Sequence, residues 1–211
     1  MAESDRRLAL IEAVLPDVPF DGWTGAAIDA AAHRLGIAAS ELATLFPGGV
    51  RDVVAGFSHW ADERMLAALD EQNLAAMKVR ERVGAAVTAR LAVLEPHREA
   101  VRRALTLLAL PQNLPLGARL LYDTVNAIWY AAGDTASDFN FYSKRGLLAG
   151  VYAATTLYWL DDRSPGGADT KAFFERRLAE VMQLPKLGAK LRQGLDWLPN
   201  PFRLMRVVRR H

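Results

Sequence analysis

The sequence predicts an all-α protein built as a bundle of about nine or ten helices, and three observations lead there. Apolar residues recur at helical spacing along the chain, no segment alternates convincingly at period two, and Gly or Pro punctuates the sequence between the periodic runs. With 51% hydrophobic residues in 211 positions, the chain can bury the core of one compact domain.

The elements follow in order. Leu8, Ile11, Glu12 and Leu15 mark a first helix, which stops at the Pro16 to Gly22 stretch. A helix around Trp23 to Leu35, the Gly36-Ile37 junction, a short helix near Ser40 to Phe46 and then Pro47-Gly48-Gly49 have the spacing of a helix-turn-helix. A long helix through Trp60 toward Leu74 comes next, its face set by Val53, Phe57, Trp60 and Ala61. Pro96 and Pro111 divide the middle of the chain, and Leu116, Leu120, Val125, Ile128 and Trp129 form another stripe. After the break at Gly133 to Ser137, Ser137 or Asp138 is placed to cap a helix starting near Phe139, an effect worth about 0.5–2 kcal/mol. That helix is apolar nearly all round, and Gly146, Gly150 and Ala154 recur along one face of it. Breaks at Asp161 to Gly167, at Pro185 and at Pro199 to Pro201 complete the punctuation. The expected organisation is a helix-turn-helix-like head over 1–58 continuous with a helical body over 59–184, then a basic amphipathic segment over 185–211.

Composition removes several function classes. There is no cysteine, which excludes disulfides, thiolate nucleophiles, zinc ribbons and iron–sulfur clusters. The N-terminus MAESDRR is charged where a secretory signal needs an apolar core, and the longest apolar stretch, Leu147 to Leu160, is shorter than the roughly 18 residues of a spanning helix. The expectation is a cytoplasmic protein. The net charge of +2 hides a gradient: residues 1–60 carry four arginines against eight acids, whereas 185–211 carry seven Lys and Arg against Asp196 alone.

Chemistry is hard to find. No Glu is followed by His three residues later, as a di-iron bundle requires, and His33, His59, His97 and His211 make no i, i+4 zinc pair. Phosphate-cradling glycine loops and nucleophile elbows are also missing from the sequence. DNA recognition is disfavoured as well, because the second helix of the head offers Ser40, Glu41 and Thr44 where phosphates and base edges call for basic and amide side chains.

The layout of head and body resembles the TetR-type regulator fold. The central block resembles something narrower. Trp129-Tyr130-Ala131-Ala132-Gly133-Asp134, Ser137-Asp138-Phe139-Asn140-Phe141-Tyr142 and Lys144-Arg145, followed by a Leu- and Ala-rich helix, look like the signature of the COQ9 family of ubiquinone biosynthesis proteins. Pro19 to Thr24, Leu45 to Gly49, Tyr158 to Pro165 and Thr170 to Arg177 extend the likeness from Arg7 to about Leu184. Two departures stand out: Phe141 where the family usually has Trp, and a tyrosine displaced to Tyr130.

The resemblance implies a dimeric, non-catalytic lipid-binding protein that has lost DNA binding. It implies an isoprenoid quinone intermediate as ligand and a di-iron hydroxylase of the COQ7 family as partner, with no cofactor of its own beyond bound quinone or phospholipid. It also implies that Trp129, Tyr130, Asp134, Asp138, Phe139, Phe141, Tyr142 and Arg145 match the patch that docks the hydroxylase.

From the residues themselves, the face of Gly146, Gly150 and Ala154 reads either as a groove for a lipid tail, walled by Leu147, Leu157 and Tyr158, or as a seat for close helix packing. The C-terminal segment reads as a membrane-surface element: Leu187, Leu191, Leu195 and Leu198 form a stripe, with Lys190 and Arg192 off it. Trp197, Phe202 and Met205 continue the apolar side, beside Arg203, Arg206, Arg209 and Arg210. Peripheral attachment to the cytoplasmic face of the inner membrane is the resulting expectation. The alternative is a TetR-type transcriptional regulator that senses a hydrophobic ligand.

Overall fold

Leu10, Ile11 and Val14 are fully buried on one side of the first helix, α1 (Glu3–Val14), so the chain starts against its own core. The computed structural model describes residues 3–133 and 139–195, with side-chain surroundings for 3–133 and 144–181. The Pro16 to Gly22 stretch holds a single turn, α2 (Val18–Asp21), in which Pro19 occupies a first-turn position whose missing amide costs nothing. Gly22 follows at φ +72°, a conformation that L side chains resist. The sharp exit aims Trp23 inward, where its Nε1 donates to the Ala100 carbonyl at 2.9 Å and its ring sits 5.3 Å from Phe57.

The helix-turn-helix is formed by α3 (Gly25–Arg34) and α4 (Ala39–Leu45), joined through Gly36 at φ +66°. Thr24 caps α3, its hydroxyl accepting from the Ala27 amide at 3.3 Å. Past Phe46, the Gly48 amide donates to Asp52 at 2.6 Å, and a Cβ on Gly48 would overlap that carboxylate at 2.5 Å. The turn leads into α5 (Val50–Asp70), which ends a turn before the expected Leu74; a 3₁₀ turn occupies Leu74–Ala76 instead. Residue 58, the expected end of the head, lies in the middle of α5.

The body adds α6 (Val79–Leu94), α7 (Arg98–Leu108), α8 (Leu114–Ala131), α9 (Phe139–Asp161) and α10 (Ala168–Leu195). The described residues thus form ten α-helices and no strand, in keeping with the all-α bundle. α5 lies centrally against α1, α6 and α8, and α9 packs between α8 and α10. Pro96 and Pro111 fall in 3₁₀ turns, as the breaks required. Pro185 does not end the helix: α10 runs through it to Leu195 and forgoes the one amide hydrogen bond that proline cannot make. Ser137 and Asp138, the expected caps of α9, lie outside the described residues.

The corner between α9 and α10 is held by Asp162. Its carboxylate accepts from the Ser164 amide at 2.7 Å, the Thr170 amide at 2.9 Å and the Thr170 hydroxyl. Those hydrogen bonds, Thr170 first and Ser164 next, hold its carboxyl well below the usual carboxylate range. Arg98 reinforces the corner by donating to the Trp159 carbonyl at 2.9 Å, while Trp159 Nε1 donates to Glu95 at 2.8 Å. Asp162→Ala is expected to lower the unfolding free energy by roughly 2 kcal/mol, because three donors lose a charged acceptor. Urea titration checks this. Since the folded-state pKa is depressed, the Asp162 contribution is whole at neutral pH and drains away only as pH falls below the ordinary carboxylate value.

Candidate functional site

Five helices of the body enclose a cavity of about 360 Å³. α5 supplies Val54, Phe57 and Ser58, α6 supplies Arg90 and Leu94, and α7 supplies Val101, Ala104, Leu105 and Leu108. Gly117, Leu120, Leu121 and Thr124 of α8 and Tyr152, Ala153, Thr156 and Leu157 of α9 close it. Amphipathic packing explains the α7 and α8 walls, because these two helices turn well-defined apolar stripes inward. Ala109 and Leu157 are exposed, so the cavity reaches the surface beside them.

One end of the cavity is polar. Arg90 is buried, and its Nε donates to Asp62 at 2.6 Å, its Nη1 to the Tyr152 hydroxyl, and its Nη2 to the Ser58 carbonyl and hydroxyl at 3.2 and 3.1 Å. Thr124 donates to the other Asp62 oxygen at 3.1 Å. Burial works against the arginine charge, but the Tyr152 hydroxyl and the Asp62 carboxylate outweigh it and hold the Arg90 pKa above its ordinary value. An acid and a base on apolar helix faces are the signal that sequence alone offers for this network, since each needs a buried partner. The spacing along the chain does not say which partner.

The expected lipid residues are split by the structure. Leu157 lines the cavity, but Gly146 and Gly150 face solvent, and a Cβ at either would meet nothing within 4 Å. At these two positions no described side chain packs against the helix. Leu147 and Ala154 are half-buried outside the cavity lining, and Tyr158 stacks on Phe173 of α10 with ring centroids 4.6 Å apart. The cavity uses the next face of α9 round, that of Tyr152, Ala153 and Thr156.

The aromatic block is also divided. Trp129 is buried, with Lys144 over its ring at 5.7 Å. Arg145, expected in the patch that docks the hydroxylase, is buried too, and its Nε donates to Asn126 at 3.0 Å, which ties α9 to α8. Tyr130 is 78% exposed. Asp134 and Asp138 lie outside the described residues, as do the side chains of Phe139, Phe141 and Tyr142. Of the expected membrane residues, Lys190 and Arg192 lie on the last turns of α10, whereas Trp197, Phe202, Arg203, Met205, Arg206, Arg209 and Arg210 lie outside the description. No group of three or more metal-binding side chains occurs among the described residues, and no described helix is long and apolar enough to cross a membrane.

The cavity and its five helices can be set beside known proteins. A TetR transcriptional regulator from Nitrosomonas europaea superposes with a TM-score of 0.68 at 18% identity, covering 84% of this chain and 98% of that one, which establishes the fold. The COQ9 family model matches residues 114–185, the span from α8 into α10. The ubiquinone biosynthesis protein COQ9-B of Xenopus laevis is 32% identical over 209 residues, covering 92% of this chain and 71% of that protein. The chain belongs to the COQ9 family. Rat and human COQ9, both named as mitochondrial ubiquinone biosynthesis proteins, are 35% and 34% identical over 88% and 92% of the chain. The chain spans 64% and 65% of the length of those two relatives. Within the COQ9 chain, the cavity draws on helices on both sides of residue 114, and the matched region contributes the α8 and α9 walls.

Proposed function

We propose that this COQ9-family protein is a non-catalytic lipid carrier of ubiquinone biosynthesis, which holds an isoprenoid quinone precursor and presents it to a COQ7-type di-iron hydroxylase. The observation that carries the reading is the apolar cavity of about 360 Å³ open beside Leu157. Its volume lies at the low end of small-molecule sites, which run from about 300 to 1,000 Å³, so it takes the head and first part of a long isoprenoid while the rest extends past Ala109 and Leu157. The oxidising iron belongs to the partner in this scheme, and the carrier needs no cofactor. We propose further that it works as a homodimer, peripherally bound to the cytoplasmic face of the inner membrane, where the basic residues of 185–211 meet anionic headgroups.

Organic extraction of the purified protein, with native mass spectrometry, tests the central step. An isoprenoid released in stoichiometric amount is the expected result, together with co-sedimentation on anionic vesicles that needs residues 198–211. A chain that emerges empty and takes up no isoprenoid from vesicles overturns it. For the partner, Tyr130→Ala is expected to weaken pull-down of the hydroxylase by about tenfold, the loss typical of an exposed aromatic anchor. An unchanged complex moves the contact off Tyr130.

The regulator reading has the fold in its favour and the charges against it. Next to α4, Arg6 pairs with Glu41, and Arg34 pairs with Asp17 at 2.5 Å, so these two cations are spent on the protein's own acids. Thr44 turns its hydroxyl back to the Ser40 carbonyl at 3.0 Å. A salt-sensitive, sequence-selective shift of promoter DNA would reverse this ranking.

A further inference from the structure

The polar end of the cavity is charge-neutral, and this constrains what it can hold. Arg90 is the side chain that would ordinarily recognise a carboxylate or phosphate, yet each of its three guanidinium nitrogens is engaged by Asp62, Tyr152 or Ser58. Asp62 cancels its charge from behind the wall, with Thr124 on the second oxygen. A second anion placed there would lie in a low-dielectric site beside Asp62 with no uncompensated cation to meet it.

The hydroxyls tell the other half. Thr156 spends its proton on the Tyr152 carbonyl at 3.0 Å, and Thr124 spends its proton on Asp62. Ser58 and Tyr152 act only as acceptors, both from Arg90, so among the described residues neither hydroxyl proton has an acceptor. Because one guanidinium holds both oxygens, the two free protons are gathered at a single end of a cavity whose remaining walls are apolar.

We infer that the cavity selects an uncharged apolar molecule ending in a carbonyl-type oxygen, which accepts the hydroxyl protons of Ser58 and Tyr152, and that it rejects acidic lipids. This rests on the reading of the cavity as the lipid site, and it adds to that reading the chemistry of the bound end. Ser58 and Tyr152 are then the residues that set specificity. The Arg90–Asp62 pair fixes their orientation.

The test uses the full chain stripped of lipid and three probes of matched length: 2-tridecanone, tridecane and dodecanoate, each measured by displacement of an apolar fluorophore. The ketone is expected to bind about tenfold more tightly than the alkane, as two neutral hydrogen bonds allow, with dodecanoate weakest. Tyr152→Phe brings the ketone to within about twofold to threefold of the alkane and leaves the alkane unchanged. Ser58→Ala does the same while Arg90 Nη2 keeps the Ser58 carbonyl and Arg90 Nε keeps Asp62, which keeps the test open if Tyr152→Phe does not fold. If none of the three probes binds, the lipid-cavity reading itself fails. If ketone and alkane bind equally, or dodecanoate binds tightest, the cavity stands and the inference about its polar end is wrong.

Discussion

Asp62→Ala is expected to lower the unfolding free energy by about 3–5 kcal/mol, because it leaves the Arg90 charge buried without its counter-ion. The pair sits 2.6 Å apart with both side chains nearly inaccessible, Thr124 bonded to the far oxygen and Tyr152 on the far nitrogen. For a chain of this length that loss corresponds to a drop in Tm on the order of 10 °C. The second half of the experiment separates pairing from packing. In the double variant Asp62→Leu with Arg90→Met, no charge remains to be stranded, and most of the lost stability should return, since removing both members of a buried pair is often neutral. Equal losses in the single and double variants would mean that shape, not charge, holds this end of the cavity together.

Ala153→Trp is expected to abolish lipid retention while the fold survives. Ala153 lines the cavity from α9 and is only half-buried, so an indole there enters existing space without displacing core side chains. A ligand that forfeits roughly 100 Å² of apolar contact, at about 25 cal/mol per Å², loses roughly 2.5 kcal/mol, close to a hundredfold in affinity. The control is Gly150→Leu one turn away, where a side chain meets open space. Lipid extracted from each purified variant reads the result: little from Ala153→Trp, a normal amount from Gly150→Leu. The opposite pattern would return the lipid site to the small-residue face of α9.

These two variants also mark where the sequence speaks and where it falls silent. The head was legible because its punctuation is local: Gly36 and the Pro47-Gly48-Gly49 turn must interrupt helices wherever the rest of the chain lies. The buried stripe of α5, Val53, Phe57, Trp60 and Ala61, was legible for the same reason, since the 3.6-residue period is a property of one helix. The small residues of α9 were visible too, but periodicity gives a face and not its neighbour. Gly146 and Gly150 turn to solvent while Tyr152, Ala153 and Thr156 turn to the cavity. Arg145 misleads in the same way: beside aromatics a cation suggests a surface patch, and Asn126 on another helix draws it inside. The Arg90 network was out of reach, because Asp62, Arg90, Thr124 and Tyr152 come from four helices and meet only once these are packed.

The hold of Trp23 on Ala100 has a mechanical meaning. Trp23 Nε1 bonds the Ala100 carbonyl, and Arg103, one turn further along α7, bonds back to the Pro19 carbonyl at 2.8 Å. The same helix carries Val101, Ala104, Leu105 and Leu108 into the cavity wall. Sliding α7 to widen or narrow that wall would break both bonds, so the head acts as a buttress for the pocket. The first two helices and the turn after them therefore set the position of one cavity wall from outside it.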